Sequence, residues 1–480
     1  MSYQKQTKLR TDELTPNKNI SFPIGTILTV KQYYSLLGLE DIIGKHKSRG
    51  HDLNLLVMAL LSYRLTENRS VTKAAGWINR DAILDTFELD SFEQRALYRV
   101  LEILGTNREE IIADLQDALF ARYEFEHTNV NLDWTSFVLY GDKCPIAKRG
   151  YSRDHRPDKK QITVGISELA TPINVPIGMT VREGNINDQV HFDDTFGQVE
   201  KRLKPGSIIT FDQGANRKEN LERIEHSKLK YVTARQINSS DEKTWIKHFD
   251  KTKAELVDER YGVYGLKKRF PSRTNYLFFS EELKHSQIET KLRKVERLFH
   301  DAEEIQKAIE HNRNLPKRFR INNPLVECRY TYQTKLASLS ETEAREILKA
   351  ASITGREGFF CLVSNMDLTL KGVLAIYRQK DSIEKIFNMM KNEIDIHPLR
   401  VWTEENIYGA LILGFLAMLL ISIIRFEHDE LKHVSATFIK ISLMNLTLTI
   451  EFKETGQKHL VYSNFNPISQ VILAEKQAFS

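Results

Sequence analysis

Cysteine is scarce in this chain, and its scarcity argues against two kinds of architecture. Three cysteines occur in 480 residues, Cys144, Cys328 and Cys361, all far apart and without paired spacing. Such usage argues against a disulfide framework and against a zinc site, and it fits a reducing cytoplasm. Residues 1–14 are polar and charged with no apolar centre. We therefore expect neither a secretory signal nor a membrane anchor there.

A strong net charge is also lacking. The 69 Lys and Arg residues against 64 Asp and Glu give a formal charge of +5, which is informative only where the basic residues cluster. They cluster in three places: Lys148, Arg149, Arg153, Arg156, Lys159 and Lys160; Lys267, Lys268 and Arg269; Lys317, Arg318 and Arg320. Each cluster is either solvated loop charge or a contact for a polyanion such as DNA.

Long apolar runs are limited to one segment, residues 407–424, with the sequence IYGALILGFLAMLLISII. Its length and apolarity are those of a membrane span. A fully buried helix in a large core has the same composition. Because no second such segment accompanies it and a charged helix precedes it, we favour burial and expect no membrane partner.

The chain length predicts two to four domains. Residues 1–125 are typical of a helical N-terminal domain, for which DNA binding is expected. Short strands then alternate with helices, which predicts an α/β fold, a mixed sheet flanked by helices. This core is expected over 126–239 and, after an inserted domain over 240–355, again over 356–430. The C-terminal region 431–480 is a candidate for dimerisation.

Two aspartates interrupt apolar strands. Asp212 closes the apolar run 207–211 and is followed by a Gln-Gly turn, and Asp133 lies within the strand 130–134, where an unpaired carboxylate is costly. Side chains at the carboxyl ends of neighbouring parallel strands converge on one crevice. The alternatives on local sequence alone are a helix N-cap for Asp212 and a strand-end turn for Asp133.

A third carboxylate, Glu384, has polar neighbours at a specific spacing. Tyr377, Lys380 and Lys391 stand at offsets of −7, −4 and +7 from it, and on one continuous helix all four share a narrow face. An apolar stripe lies beside that face: Ile376, Ile383, Phe387, Met390 and Ile394. An ordinary amphipathic helix explains the stripe but not the polar spacing, which suits a metal ligand beside bound DNA.

The order of these residues resembles the DDE class of insertion-sequence transposases that carry a Y-R-E-K signature. Tyr377, Glu384 and Lys391 match the signature, and Lys380 stands where arginine is usual. Residues 150–161 resemble the family run G-x-S-x-D-x-R-P-D-x-x-Q. The interval of 172 positions between Asp212 and Glu384 (384 minus 212) resembles the family habit of inserting a domain there. Together the matching stretches cover roughly 126–425.

The resemblance implies a ribonuclease-H-like core that holds two Mg²⁺ ions, with Mn²⁺ as a substitute, on Asp133, Asp212 and Glu384. It implies double-stranded DNA as partner, both element ends and target, a homodimer in the synaptic complex, and a bacterial, cytoplasmic and nucleoid-associated location. The expected DNA-binding residues are Tyr377, Lys380, Lys391, Arg153, Arg156, Lys159 and Trp245. Trp245 is the only tryptophan of the insertion, and a core role explains it equally well.

Three alternatives remain on sequence grounds. The first is a ribonuclease-H-like, structure-selective nuclease that lacks strand transfer. The second is a catalytically inactive DNA-binding derivative, against which the presence of all three carboxylates argues. The third is a membrane protein anchored by residues 407–424.

Overall fold

A computed structural model describes residues 19–47, 49–123, 128–139, 144–154, 156, 158–171, 174–311, 325, 336, 339–394, 401–452 and 458–473. The chain divides into two compact units. The first unit comprises Met1–Lys230 and Arg378–Ser480, and the second comprises Tyr231–Tyr377.

The first unit begins with one strand and a group of helices. Side-chain caps begin two of the helices: Asp52 accepts a hydrogen bond from the backbone of Leu55, and Ser70 accepts one from Lys73. The elements are β1 (Asn19–Pro23), α1 (Gly25–Leu36), α2 (Leu39–Gly44), α3 (Leu53–Arg64), α4 (Val71–Ile78), α5 (Asp81–Phe87), α6 (Gln94–Thr106) and α7 (Arg108–Tyr123). The predicted helical character of the N-terminal region is confirmed over these residues.

A mixed sheet follows in the first unit, built from β2 (Asn129–Val138), β3 (Gln161–Thr171), β4 (Val175–Glu183) and β5 (Ile208–Phe211). The strand order is β4-β3-β2-β5; β2 runs antiparallel to β3 and parallel to β5. Two helices accompany these strands, α8 (Asp188–Val199) and α9 (Lys218–His226). The Trp134 indole donates to Thr195 of α8 at 3.0 Å, so one face of β2 packs under that helix.

The second unit contains an antiparallel sheet in the order β6-β10-β9-β8-β7. Three aromatic rings pack together in this unit: Phe249 from the segment before β7, Phe279 from β9 and Phe359 from β10. Its elements are β6 (Lys230–Arg235), α10 (Ser239–Asp241), β7 (Glu255–Asp258), β8 (Val263–Arg269), β9 (Thr274–Ser280), α11 (Glu281–Glu310), α12 (Glu341–Ser352), β10 (Phe359–Ser364) and α13 (Leu370–Arg378).

The chain then returns to the first unit. Strand β11 pairs with both β1 and β12, so the two ends of the chain share one three-stranded sheet. The elements are α14 (Asp381–Asn388), a π-helical turn (Met389–Glu393), α15 (Glu404–Glu427), α16 (Ala436–Asn445), β11 (Thr447–Phe452), β12 (Lys458–Ser463) and α17 (Pro467–Leu473).

Helix α15 contains the long apolar run. Among the described residues it is the one helix long and apolar enough to cross a membrane, and its apolar window is entirely buried inside the protein. It packs on α6, where Gly105 and Gly409 allow the two backbones to meet closely. The run 407–424 is therefore a core helix of the first unit in this fold.

Candidate active site

Asp133 and Asp212 lie at the same level of two neighbouring parallel strands. The pairing of β2 with β5 sets Asn131 opposite Thr210, and continuing this register by two residues brings Asp133 level with Asp212. Asp133 points to the face of β2 opposite Trp134, because successive strand residues alternate between faces. The strand register therefore brings these two carboxylates together, as the sequence predicts.

Lys380 lies between the two aspartates. Its ammonium group is 3.2 Å from Asp133 Oδ2 and 3.2 Å from Asp212 Oδ2. The Lys380 side chain is 6% exposed and that of Asp133 14% exposed, whereas Asp212 is 46% exposed. A buried cation therefore bridges one buried and one accessible carboxylate.

Burial and the neighbouring charges shift the pKa values of Asp133 and Lys380. Desolvation raises the pKa of Asp133 to about 6; the charge of Lys380 opposes the rise and that of Asp212 adds to it. Burial alone would lower the pKa of Lys380, but the two aspartate charges outweigh it and the net shift is upward. Lys380 is therefore held as an ammonium ion.

The segment that carries Lys380 and Glu384 is not one continuous helix, and the prediction of a single shared face is wrong. Helix α13 ends at Arg378, a turn follows, and α14 starts at Asp381. In this turn the backbone N–H of Ser382 donates to Gln379 O and that of Ile383 donates to Lys380 O. Lys380 lies in this turn, and its buried side chain extends to the two aspartate carboxylates.

Lys391 reaches the same face of β2 one step further along. Its ammonium group lies 2.8 Å from Thr135 Oγ1 and 2.7 Å from Asp154 Oδ1, and 5.2 Å from the centre of the Phe137 ring. Thr135 is two residues beyond Asp133 and thus on the same strand face. The structure therefore brings both lysines of the signature to the strand that carries Asp133.

Glu384 lies on α14 between these two lysines, and its side chain is exposed. Among the described residues no group of three or more His, Cys, Asp and Glu side chains is close enough to hold a metal ion. Asp133 and Asp212 present hard oxygen ligands already arranged about a cation, which fits Mg²⁺ or Mn²⁺. A third ligand from Glu384 requires its carboxylate to move toward that pair.

The basic loop before β3 is fixed by its own ion pairs. Both carboxylate oxygens of Asp188 accept hydrogen bonds from Arg153, at 2.7 and 2.6 Å, and Arg156 forms two bonds with Asp158. Arg153 therefore ties the loop to the start of α8. Lys159 is half-buried, whereas Lys148 and Arg149 are exposed.

The other residues predicted to contact DNA belong to the second unit or lie outside the described residues. Tyr377 and Trp245 belong to the second unit, and both side chains are half-buried. The basic cluster Lys317, Arg318 and Arg320 lies outside the described residues, as does Cys328. The roles proposed for these residues stay predictions.

Several polar neighbours of the site were not singled out from the sequence. Asp154 stands in the run that resembles the family motif, so the motif contained the signal. Asn131 is polar at a spacing of two from Asp133, and this pattern in an apolar strand predicts a shared face. Glu168 and Ser382 carry no comparable local signal, because strand pairing and the α14 turn bring them together.

Comparison with known proteins found one matching family and a similar solved structure. The family described as "Transposase DDE domain" matches residues 125–420, a span that includes Asp133, Asp212 and Glu384. A solved structure, the cryo-EM structure of the piggyBac transposase synaptic complex with hairpin DNA, aligns with a TM-score of 0.40 and 11% sequence identity, covering 89% of this chain and 80% of that chain. No curated protein matches this chain significantly.

Proposed function

This chain belongs to the DDE-domain transposase family, and from that premise we propose that it cuts the ends of an insertion sequence and joins them to target DNA. We propose further that β2–β5 are the ribonuclease-H-like centre of this activity. The observation that supports the proposal most strongly is the pairing of Asp133 and Asp212 about one cation, with Lys380 and Lys391 on the same strand face.

The chemistry we propose is metal-dependent phosphoryl transfer. Asp133 and Asp212 would hold Mg²⁺, with Mn²⁺ as a substitute, and Glu384 would complete the ligand set. Bound divalent ions would activate water, and later the freed 3′-hydroxyl, for attack on a phosphodiester. We propose that Lys380 and Lys391 contact DNA phosphates beside the carboxylates, since both ammonium groups lie at this face of β2.

The partners and location follow from the same proposal. Double-stranded DNA supplies both the element ends and the target. Two ends processed together need two active sites, so we propose a homodimer in the synaptic complex, in the bacterial cytoplasm and associated with the nucleoid.

The decisive experiment compares Asp212→Asn and Glu384→Gln with wild-type protein on labelled element ends. Each variant keeps the side-chain size but removes a negative charge that the metal ligand set needs. We expect both to lose cleavage in Mg²⁺ while still binding uncut ends. Tyr377→Phe should be milder, because it removes one hydroxyl group and no metal ligand. Nicking at near wild-type rate by either carboxylate variant would refute the assignment.

The same assay separates the alternative functions. A structure-selective nuclease would cut the ends but yield no products joined to a target plasmid. A second alternative is an inactive DNA-binding derivative. That protein would bind ends yet cut none at any Mg²⁺ or Mn²⁺ concentration.

A further inference from the structure

A second group of buried polar side chains lies beside Asp133, on the same face of β2. Asn131 precedes Asp133 by two residues, and strand pairing places Glu168 of β3 opposite Asn131. The start of α14 covers them: Asn131 Nδ2 donates to Glu168 Oε2 and to Gln379 O at 3.0 Å each, and Ser382 contacts both Glu168 and Asn131. A carboxyl group is thus built into the contact between the sheet and the helix of Glu384.

The Ser382 hydroxyl group has two short contacts to oxygen atoms but only one hydrogen to place in them. Ser382 Oγ lies 2.7 Å from Glu168 Oε2 and 2.6 Å from Gln379 O. Two oxygens at such distances need a hydrogen between them. Ser382 supplies one, and a backbone carbonyl supplies none. The second hydrogen must therefore come from Glu168.

The surroundings of Glu168 favour that hydrogen. The residue is fully buried, and this desolvation raises the pKa of Glu168 to about 7. The hydrogen bonds from Ser382 and Asn131 and the charges of Lys380 and Lys385 oppose the rise. Its other oxygen, Oε1, is buried without a hydrogen-bond partner in the described part of the chain. Leaving a charged oxygen in that state is costly.

We infer that Glu168 is a neutral carboxylic acid in the folded protein, and that it donates its O–H to Ser382 to fix the start of α14. With this hydrogen bond, Ser382 donates its one hydrogen to Gln379 O and accepts one from Glu168, so that each of the two short contacts contains a hydrogen. Glu168 is then a positioning residue, because Glu384 stands two residues after Ser382. The importance of that position for DNA cleavage rests on the function proposed above.

Infrared difference spectroscopy of full-length protein tests the protonation directly. The single variant Asp133→Asn is compared with the double variant that also carries Glu168→Gln. Asp133 is replaced in both because, among the described residues, it is the other carboxyl group whose pKa is raised. We expect the first protein to show a protonated-carboxyl band at pH 6 that the second lacks. Identical spectra in that region would overturn the inference, and the result does not depend on whether the protein cuts DNA.

Thermal unfolding of wild-type protein and Glu168→Gln tests the same proton by linkage. A carboxyl group whose pKa is raised on folding, here from 4.5 to about 7, binds more protons in the folded chain. Wild-type stability should therefore fall, relative to the glutamine variant, as the pH rises through that window and level off above it. Glu102→Gln, at an exposed site on α6, should run parallel to wild type. A constant offset for Glu168→Gln would contradict the inference.

Cleavage of element ends tests the positioning role. Glutamine retains an N–H that can donate to Ser382, so Glu168→Gln should cut close to the wild-type rate. Glu168→Ala and Ser382→Ala should each lose about 10-fold or more in rate, and the double variant should lose no more than the worse of the two. An equal loss for Glu168→Gln and Glu168→Ala would show that the O–H donor is not what matters.

Discussion

At the scale of single residues, the organising feature of the first unit is a lysine that neutralises a buried aspartate. Asp133 is largely shielded from the bulk water that would otherwise stabilise its charge, and the ammonium group of Lys380 lies 3.2 Å from its carboxylate. A divalent ion bound by Asp133 and Asp212 would compete with this ammonium group for the same oxygens. Lys380 therefore neutralises the two aspartates in the metal-free protein, and in the proposed function it would contact a phosphate once a metal ion takes its place.

Replacing this lysine should destabilise the metal-free protein. Lys380→Met leaves Asp133 buried beside Asp212 with no cation, and breaking a buried pair from one side costs about 3–5 kcal/mol, less here because Asp212 is half-exposed. We expect faster hydrogen exchange of the β2 amides without metal and recovery when Mg²⁺ is added. The control is Lys385→Met, at an exposed site on α14, which should exchange like wild type. Unchanged β2 exchange in Lys380→Met would contradict this account.

At the scale of elements, the sequence predicts strands better than it predicts the connection around Glu384. The strands that carry Asp133 and precede Asp212 are confirmed, because short segments with several β-branched and aromatic residues, bounded by turns, favour strands. The break between α13 and α14 has no such local cause. It accompanies the burial of Lys380 against two aspartates that are 168 and 247 positions earlier in the chain (380 minus 212 and 380 minus 133), and long-range ion pairing is invisible to helical periodicity.

The contact between α6 and α15 is another long-range feature. A Cβ atom added at Gly409 would overlap with the backbone of Leu101, and one at Gly105 would overlap with that of Glu405. The glycines are thus required by helix packing, although single glycines in a helix normally cost about 1 kcal/mol relative to alanine.

Alanine substitutions should therefore have opposite effects at different glycines. Gly409→Ala should cost about 1–3 kcal/mol, because the two helices must separate. Gly76→Ala, on α4 with open space around its Cβ position, should be neutral or stabilise by up to about 1 kcal/mol. Hydrogen exchange of the α6 and α15 amides gives the local free energies. Equal exchange in the two variants would show that the helices are not closely packed at Gly409.

At the scale of the whole molecule, the sequence predicts that a second unit interrupts the first but does not predict its bounds. The insertion is expected over 240–355, whereas the compact second unit is Tyr231–Tyr377, because β6 and β10 pair with each other and join the inserted strands to one sheet. Likewise β1 and β11 unite the two ends of the chain, a pairing across more than 400 residues that no local pattern encodes.

The charge of the molecule bears on how it would hold DNA. A formal net charge of +5 is small for a DNA-binding protein of 480 residues, so binding must depend on local groups of exposed cations. Of the basic loop, Lys148 and Arg149 are exposed, whereas Arg153 is engaged by Asp188. The exposed cations of this loop would contribute to DNA affinity, whereas Arg153, which is paired with Asp188, contributes to the stability of the loop.

Binding to element ends should weaken steeply with salt, because each phosphate contact releases counterions and contributes about −0.9 to the slope of log K against log salt. Arg149→Ala should reduce the size of that slope by about one and leave the loop ordered. Arg153→Ala should change the slope little but increase hydrogen exchange at the start of α8, because it breaks the paired bonds to Asp188. Fluorescence anisotropy across a salt series measures the slopes. A flat salt dependence for wild-type protein, or a slope change only in Arg153→Ala, would contradict the prediction that the exposed cations of this loop contact DNA phosphates.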